Sequence, residues 1–159
     1  MYIPFEKISE KSRAWIYILS ENIDINISKE LDKTLKNICN EWQSHGQIIK
    51  SSYLISYNRF ILLFAEDNNS VSGCSIDESN NKLRKKLNQL KIDLQPNSKI
   101  GIFKENKIGF FKKNELISLI KNKKIDLSQK MINTIVQDKL SFEKEWVLQL
   151  KYSWVNKLL

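Results

Sequence analysis

The chain predicts an α+β fold, a split βαβ (ferredoxin-like) core followed by a C-terminal hairpin and helical extension. Three observations carry that expectation. β-rich and helix-periodic segments alternate as β-α-β-β-α-β over residues 12–104. Both helical segments show a single apolar stripe at three- and four-residue spacing. A length of 159 residues with 42% apolar content suits one domain with a sizeable core. The expected organisation is one domain over residues 1–159, its core at about 12–104 and its extension at about 105–159. No repeat, low-complexity segment or linker interrupts it.

Each element has a local reason. Residues 14–20 hold Trp15, Ile16, Tyr17 and Ile18, which favour a strand. Ser28 is the expected N-cap of the first helix, whose apolar face is Leu31, Leu35, Ile38 and Trp42. His45-Gly46 is expected to end that helix, with Gly46 just past its C-cap. Residues 51–57 and 60–65 read as a hairpin turning at Asn58-Arg59, or as one uninterrupted strand. Residues 66–70 read as a polar loop. A second helix is expected over 76–90, with Leu83, Leu87 and Leu90 on one face. Pro96-Asn97-Ser98 breaks the chain, and 99–103 with 107–111 form a hairpin around Glu105-Asn106. Asn114 is the expected cap of a short helix carrying Leu116, Ile117 and Ile120. Residues 131–140 fit either a helix or a strand, and Ser141 is the expected cap of a last helix turning Trp146 and Leu150 inward.

The segment Ser72-Gly73-Cys74-Ser75-Ile76-Asp77-Glu78 concentrates the candidate chemistry. Ser75 and Glu78 have capping-box spacing, which starts a helix at Ile76, and Gly73 permits a tight turn before it. Cys74 then stands beside unpaired helix amides, where a thiolate is stabilised. His45, the single histidine, is the one imidazole available to assist it, so Cys74 and His45 form the candidate catalytic pair. The same turn is a candidate site for a small anionic ligand, with Ser72, Gly73 and Ser75 around it and Asn58 and Arg59 supplying amide and guanidinium. The plainer alternatives are a packed Cys74, a capping His45, and an Arg59 paired with Asp67 or Asp77. Cys39, on the apolar face of the first helix, reads as core.

The net charge of +8 raises the question of nucleic acid. Only three of the 26 basic residues are arginines, and the lysines are scattered in a chain rich in Ile and Asn. Lys, Asn and Ile share A/T-rich codons, so the expectation is weak, unselective nucleic-acid binding lost at moderate salt. Trp15 and Tyr17 on one strand, with Phe60 and Phe64 on another, distantly echo the base-stacking aromatics of RNA-recognition sheets. Core packing is the competing account. Two cysteines and one histidine supply neither a disulfide framework nor a classical zinc set, so no metal or cofactor is expected. No run approaches the ~20 apolar residues of a membrane span, and the N-terminus lacks the basic start and apolar stretch of a secretory signal. The expected location is the cytoplasm.

Several blocks are shared with a known family. Met1-Tyr2-Ile3-Pro4-Phe5, Trp15-Ile16-Tyr17, Trp42-Gln43-Ser44-His45-Gly46, Tyr57-Asn58-Arg59-Phe60, Ser72-Gly73-Cys74-Ser75-Ile76-Asp77 and Ser153-Trp154 resemble a small bacterial family whose members often carry the label "ABC transporter ATPase". The resemblance spans nearly the whole chain. It implies no established biochemical activity. In the family pattern a histidine follows the Ser-Trp pair; here that position is Val155, so no role is carried over to it. The label conflicts with the chemistry of ATP binding, because a P-loop needs glycine followed by lysine. None of Gly46, Gly73, Gly101 and Gly109 is followed by lysine, so ATP hydrolysis is not expected.

Overall fold

The computed structural model describes residues 1–66 and 71–159. It is an α+β protein with four α-helices and antiparallel sheets among the described residues. The polar-loop expectation for 66–70 and the proposed partner Asp67 fall at least partly outside the described residues. Contacts gather the chain into two compact units. One comprises Met1–Gln95 with Gln137–Leu140, the other Pro96–Val136 with Ser141–Leu159.

The first unit opens with β1 (Arg13–Leu19) and α1 (Ile25–Glu41). Asp24, not Ser28, caps α1: its carboxylate accepts from the Ile27 N–H at 2.8 Å. Ser28 instead lies in the first turn, its N–H donating to the Asp24 carbonyl. A carboxylate cap also complements the helix dipole, an advantage a serine lacks. Leu31, Leu35, Ile38 and Trp42 are all buried, as their spacing predicts. The helix stops at Glu41, and His45-Gly46 is not its end. These two residues turn a small hairpin between β2 (Gln43–Ser44) and β3 (Gln47–Ile48). Their φ values of 51° and 75° are both positive, as a two-residue type I′ turn demands.

β4 (Ser51–Ser56) and β5 (Phe60–Ala65) form the next hairpin, in register from Ser51–Ala65 to Ser56–Phe60. The left-handed residues are Tyr57 and Asn58, and the Arg59 N–H closes the turn on the Ser56 carbonyl. This excludes the uninterrupted strand. α2 (Gly73–Gln89) then buries Leu83 and Leu87. It ends in a Schellman motif: the Ile92 N–H reaches the Leu87 carbonyl, the Lys91 N–H reaches Asn88, and Lys91 takes the left-handed position at φ 58°. Burial of both Ile92 and Leu87 supplies the apolar contact that accompanies such a cap.

The fourth strand of this sheet is β6 (Leu94–Gln95), paired with Ile18 and Leu19. The segment expected in that place, 99–103, belongs to the second unit instead. Pro96 has no amide to continue the ladder, so the strand ends before it. The order is β4-β5-β1-β6 with every neighbouring pair antiparallel, and β5 separates the two strands joined through α1. Tyr17, Leu19, Ile61, Leu63 and Ala65 share the face that packs with Leu31, Leu35 and Ile38 of α1 and Leu83 and Leu87 of α2. Ile18, Phe60, Leu62 and Phe64 occupy the opposite face and are also fully buried.

The second unit contains β7 (Ile100–Lys104), β8 (Lys107–Phe111), α3 (Lys113–Lys121), β9 (Lys130–Ile132) and β10 (Val147–Gln149), with sheet order β10-β9-β7-β8. The β7–β8 hairpin turns at Glu105, φ 57°, as its sequence predicts. Asn114 does not cap α3. Glu115 reaches back to accept from the Lys112 N–H at 3.3 Å. The ambiguous 131–140 stretch is a strand only through Ile132. α4 (Lys139–Glu145) begins before Ser141 and ends before Trp146. Trp146 and Leu150 are buried, as expected. Ile100, Ile102, Leu116, Ile125, Met131, Leu150 and Val155 form this unit's core, which makes Val155 a packing position. Among the described residues, no helix is long and apolar enough to cross a membrane.

Candidate functional site

The turn before α2 is built differently from its sequence expectation. Ser72, not Ser75, is the N-cap: its Oγ accepts from the Ser75 N–H at 3.2 Å. The helix therefore starts at Gly73, three residues early, and Gly73 adopts no left-handed backbone. Glu78 is too far along to return to the cap, and its carboxylate pairs with Lys82 at 3.0 Å. Ser75 turns inward instead. Its Oγ donates to the Ser72 carbonyl at 2.9 Å and accepts from the Trp42 indole N–H at 3.3 Å. Burial of Ser75 explains the difference, because an inward side chain beside an indole N–H is worth more as a bonded core group than as a surface cap.

The β2–β3 hairpin lies against this turn. Ser44 Oγ accepts from the Ser72 N–H at 2.9 Å, and the Trp42 bond adds a second tie. His45 follows Ser44 directly, so the hairpin carries the imidazole to the same corner as Cys74. Both side chains are exposed, and among the described residues no hydrogen bond joins them. The two cysteines contrast sharply. Cys39 is fully buried on α1, and burial pushes its thiol pKa up to about 11. Cys74 is free and exposed in the first turn of α2.

Arg59 is not part of this corner. Its Nε donates to the Leu19 carbonyl at 2.6 Å and its Nη2 to the Ser20 carbonyl at 2.8 Å, tying down the end of β1. Asn58 is a left-handed turn residue whose carbonyl accepts from the Ile23 N–H. Both lie at the start of β5, whereas Ser72 and Cys74 follow its end. Six strand residues span about 17 Å, so the expected anion set of Asn58, Arg59, Ser72, Gly73 and Ser75 is divided between the two ends of the sheet. Asp77, one of the partners considered for Arg59, is an exposed residue of α2.

The strand register also separates the aromatics of the base-stacking echo. Tyr17 pairs with Ile61 and Ile18 with Phe60, so Tyr17 and Phe60 point to opposite faces. Trp15 and Tyr17 face the helices, where the Trp15 ring lies 5.5 Å from Trp42 and the Tyr17 hydroxyl donates to the Asn80 side-chain amide oxygen Oδ1. Phe60 and Phe64 are fully buried.

Two features escaped the sequence reading. Lys139 is buried, its ammonium donating to the Ile8 carbonyl at 3.0 Å and standing 4.8 Å from the Phe5 ring centre. Nothing in its local sequence separates it from the surface lysines. The second feature is the outer edge of β4. Ser51 directs its backbone outward, donating to the Met1 carbonyl and accepting from the Ile3 N–H. Strand alternation turns the N–H and C=O of Tyr53 and Ile55 the same way. Among the described residues, no backbone group bonds them. The Ser-Ser-Tyr-Leu-Ile-Ser sequence of this edge could have drawn attention, since it holds no charge in a chain that is 28% charged.

Among the described residues, no group of three or more His, Cys, Asp or Glu side chains is placed to hold a metal ion. Comparison with protein-family models, with curated proteins and with solved structures gives no match.

Proposed function

We propose that this protein is a protein-interaction module that receives an extended peptide strand along β4. The observation carrying this reading is the open edge at Tyr53 and Ile55. Exposed edges are ordinarily blunted with lysine, proline or a bulge, because unpaired strand backbone recruits other chains. β4 has no such guard. Added-strand recognition takes its affinity from main-chain hydrogen bonds and its selectivity from alternate side chains. Here the half-buried Tyr53, Leu54 and Ile55 flank the open amides. The division of the anion set and the burial of the sheet aromatics also favour a binding module over an enzyme or an RNA-stacking sheet.

The test uses a random peptide library selected against the full-length protein. Ile55→Pro removes one outward N–H and leaves the inward ladder to β5 intact. Selected peptides are expected to be extended and apolar, and to lose binding at least tenfold to the Ile55→Pro variant while its melting temperature holds. Peptides that bind the variant equally well would sink the proposal.

The Cys74 corner supports a second reading, a cytoplasmic surface thiol assisted by His45. Its support is the pair of hydrogen bonds that holds the histidine-bearing hairpin against the start of α2. Iodoacetamide is expected to alkylate Cys74 in the folded protein well before Cys39, and His45→Ala to slow that reaction at neutral pH. An unchanged rate in the variant reduces His45 to a turn residue. ATP turnover belongs to neither reading, since no glycine in the sequence is followed by the lysine that a P-loop requires.

A further inference from the structure

The second unit holds an open cleft of about 320 Å³ between the β7–β8 hairpin and the end of α3. Ile102 and Ile125, both buried, belong to its floor, with Phe111 and Leu119 as half-exposed walls. The two charged groups that line it are Lys104 and Lys124, and no carboxylate does. We propose that this cleft is a binding site for a small amphipathic carboxylate, its apolar body against Phe111 and Leu119 and its charge between the two lysines.

Three features make it a built site. First, α3 ends in a Schellman motif that fixes one lysine. The Lys124 N–H donates to the Leu119 carbonyl at 2.9 Å and the Lys123 N–H to Ile120 at 3.0 Å, with Lys123 left-handed at φ 56°. Lys124 and the wall residue Leu119 are therefore locked to each other through the backbone. Second, Gly109 faces Ile102 across the hairpin, and a Cβ there would meet the Phe111 ring at 3.1 Å. The missing side chain lets that aromatic wall lie against the strand. Third, the remaining polar side chain of the lining is already satisfied. Gln129 accepts from the Asp126 N–H at 2.8 Å and donates to the Phe103 carbonyl at 3.3 Å.

The ammonium groups are the complement of that economy. Among the described residues, neither Lys104 nor Lys124 makes an ion pair or a side-chain hydrogen bond. An apolar pocket with a few convergent polar groups is the usual form of a small-molecule site, and two unspent cations over an apolar floor select an anion with an apolar body. At roughly 30 Å³ per non-hydrogen atom, the share of a water molecule in the liquid, the cleft takes about ten such atoms. Octanoate has that size and that chemistry.

The proposal is tested by titrating octanoate into the isotope-labelled full-length protein and following backbone amide resonances. Saturable shifts are expected at Gly109, Phe111, Leu119 and Lys124. Octanol, with the same tail and no charge, and octylamine, with the opposite charge, are each expected to bind at least tenfold more weakly. The double variant Lys104→Glu/Lys124→Glu, at two exposed positions, is expected to keep the native spectrum and lose octanoate binding at least tenfold. Absence of saturation, octanol or octylamine binding as tightly as octanoate, or undiminished binding by the charge-reversed variant would each overturn it.

Discussion

Arg59, Ser44 and Ser75 of the first unit are bonded into the fold, whereas beside α3 two cleft lysines make no ion pair or side-chain hydrogen bond among the described residues. In the first unit Arg59 spends its guanidinium on the Leu19 and Ser20 carbonyls, Ser75 on Trp42 and Ser72, and Ser44 on the Ser72 amide. In the second, Gln129 is satisfied internally while Lys104 and Lys124 carry charge over an apolar floor. A residue type that looks functional is thus structural in one unit, and a residue type that looks like surface lines a cleft in the other. What separates the cases is whether a buried backbone group competes for the side chain. An unpaired buried carbonyl is costly, so a nearby guanidinium is drawn to it. The carbonyl at the end of α3 is taken by the Lys124 amide, which leaves the ammonium free.

Arg59 offers the largest effect with which to break this contrast. Arg59→Ala strips a donor group from two carbonyls, and charge-assisted bonds of this kind are worth about 1.5–3 kcal/mol. The expected loss is about 2–3 kcal/mol in urea unfolding. Arg59→Lys should recover little of it, because one ammonium cannot reproduce the planar fork. A loss under about 0.5 kcal/mol, the range of ordinary surface substitutions, would show that solvent replaces the guanidinium.

The buried thiol of Cys39 sharpens the comparison through pH. Its folded pKa of about 11 lies above the ordinary 9.0, so the folded state holds the proton more tightly. The stabilisation is complete below pH 9 and is lost as the pH rises through 11. A difference of about two pKa units corresponds to about 2–3 kcal/mol. Burial likewise raises the Tyr17 hydroxyl to about 12, adding a second fall above pH 10. Chemical unfolding at steps from pH 8 to 11 should show the decline, and Cys39→Ala should flatten it. An equal slope in the variant would assign the decline to other groups.

The smallest effect is expected at the cleft. Lys104→Ala and Lys124→Ala should each change stability by less than about 0.5 kcal/mol, the ordinary range for surface positions without bonded partners. A loss above 1 kcal/mol in thermal unfolding would mean that these lysines are structural after all, and the two units would then follow one rule.

The sequence by itself determined the α+β class, the buried stripe Leu31-Leu35-Ile38-Trp42, the β7–β8 hairpin, and the burial of Cys39, while the β4–β5 segment stayed open between a hairpin and one strand. Each rests on spacing or turn chemistry within a few residues, so near neighbours suffice to specify it. Tertiary structure decided the capping residues, because Asp24 over Ser28 and Ser72 over Ser75 depend on which side chain the packed core draws inward. It decided which sheet receives the strand after Pro96, and it sent Arg59 and Cys74 to opposite ends of one strand. Only the fold could reveal the open edge at Tyr53 and Ile55 or the two lysines over a common cleft. Such groups are brought together by long-range pairing and helix docking, whose outcome depends on burial across the whole chain and not on any local spacing.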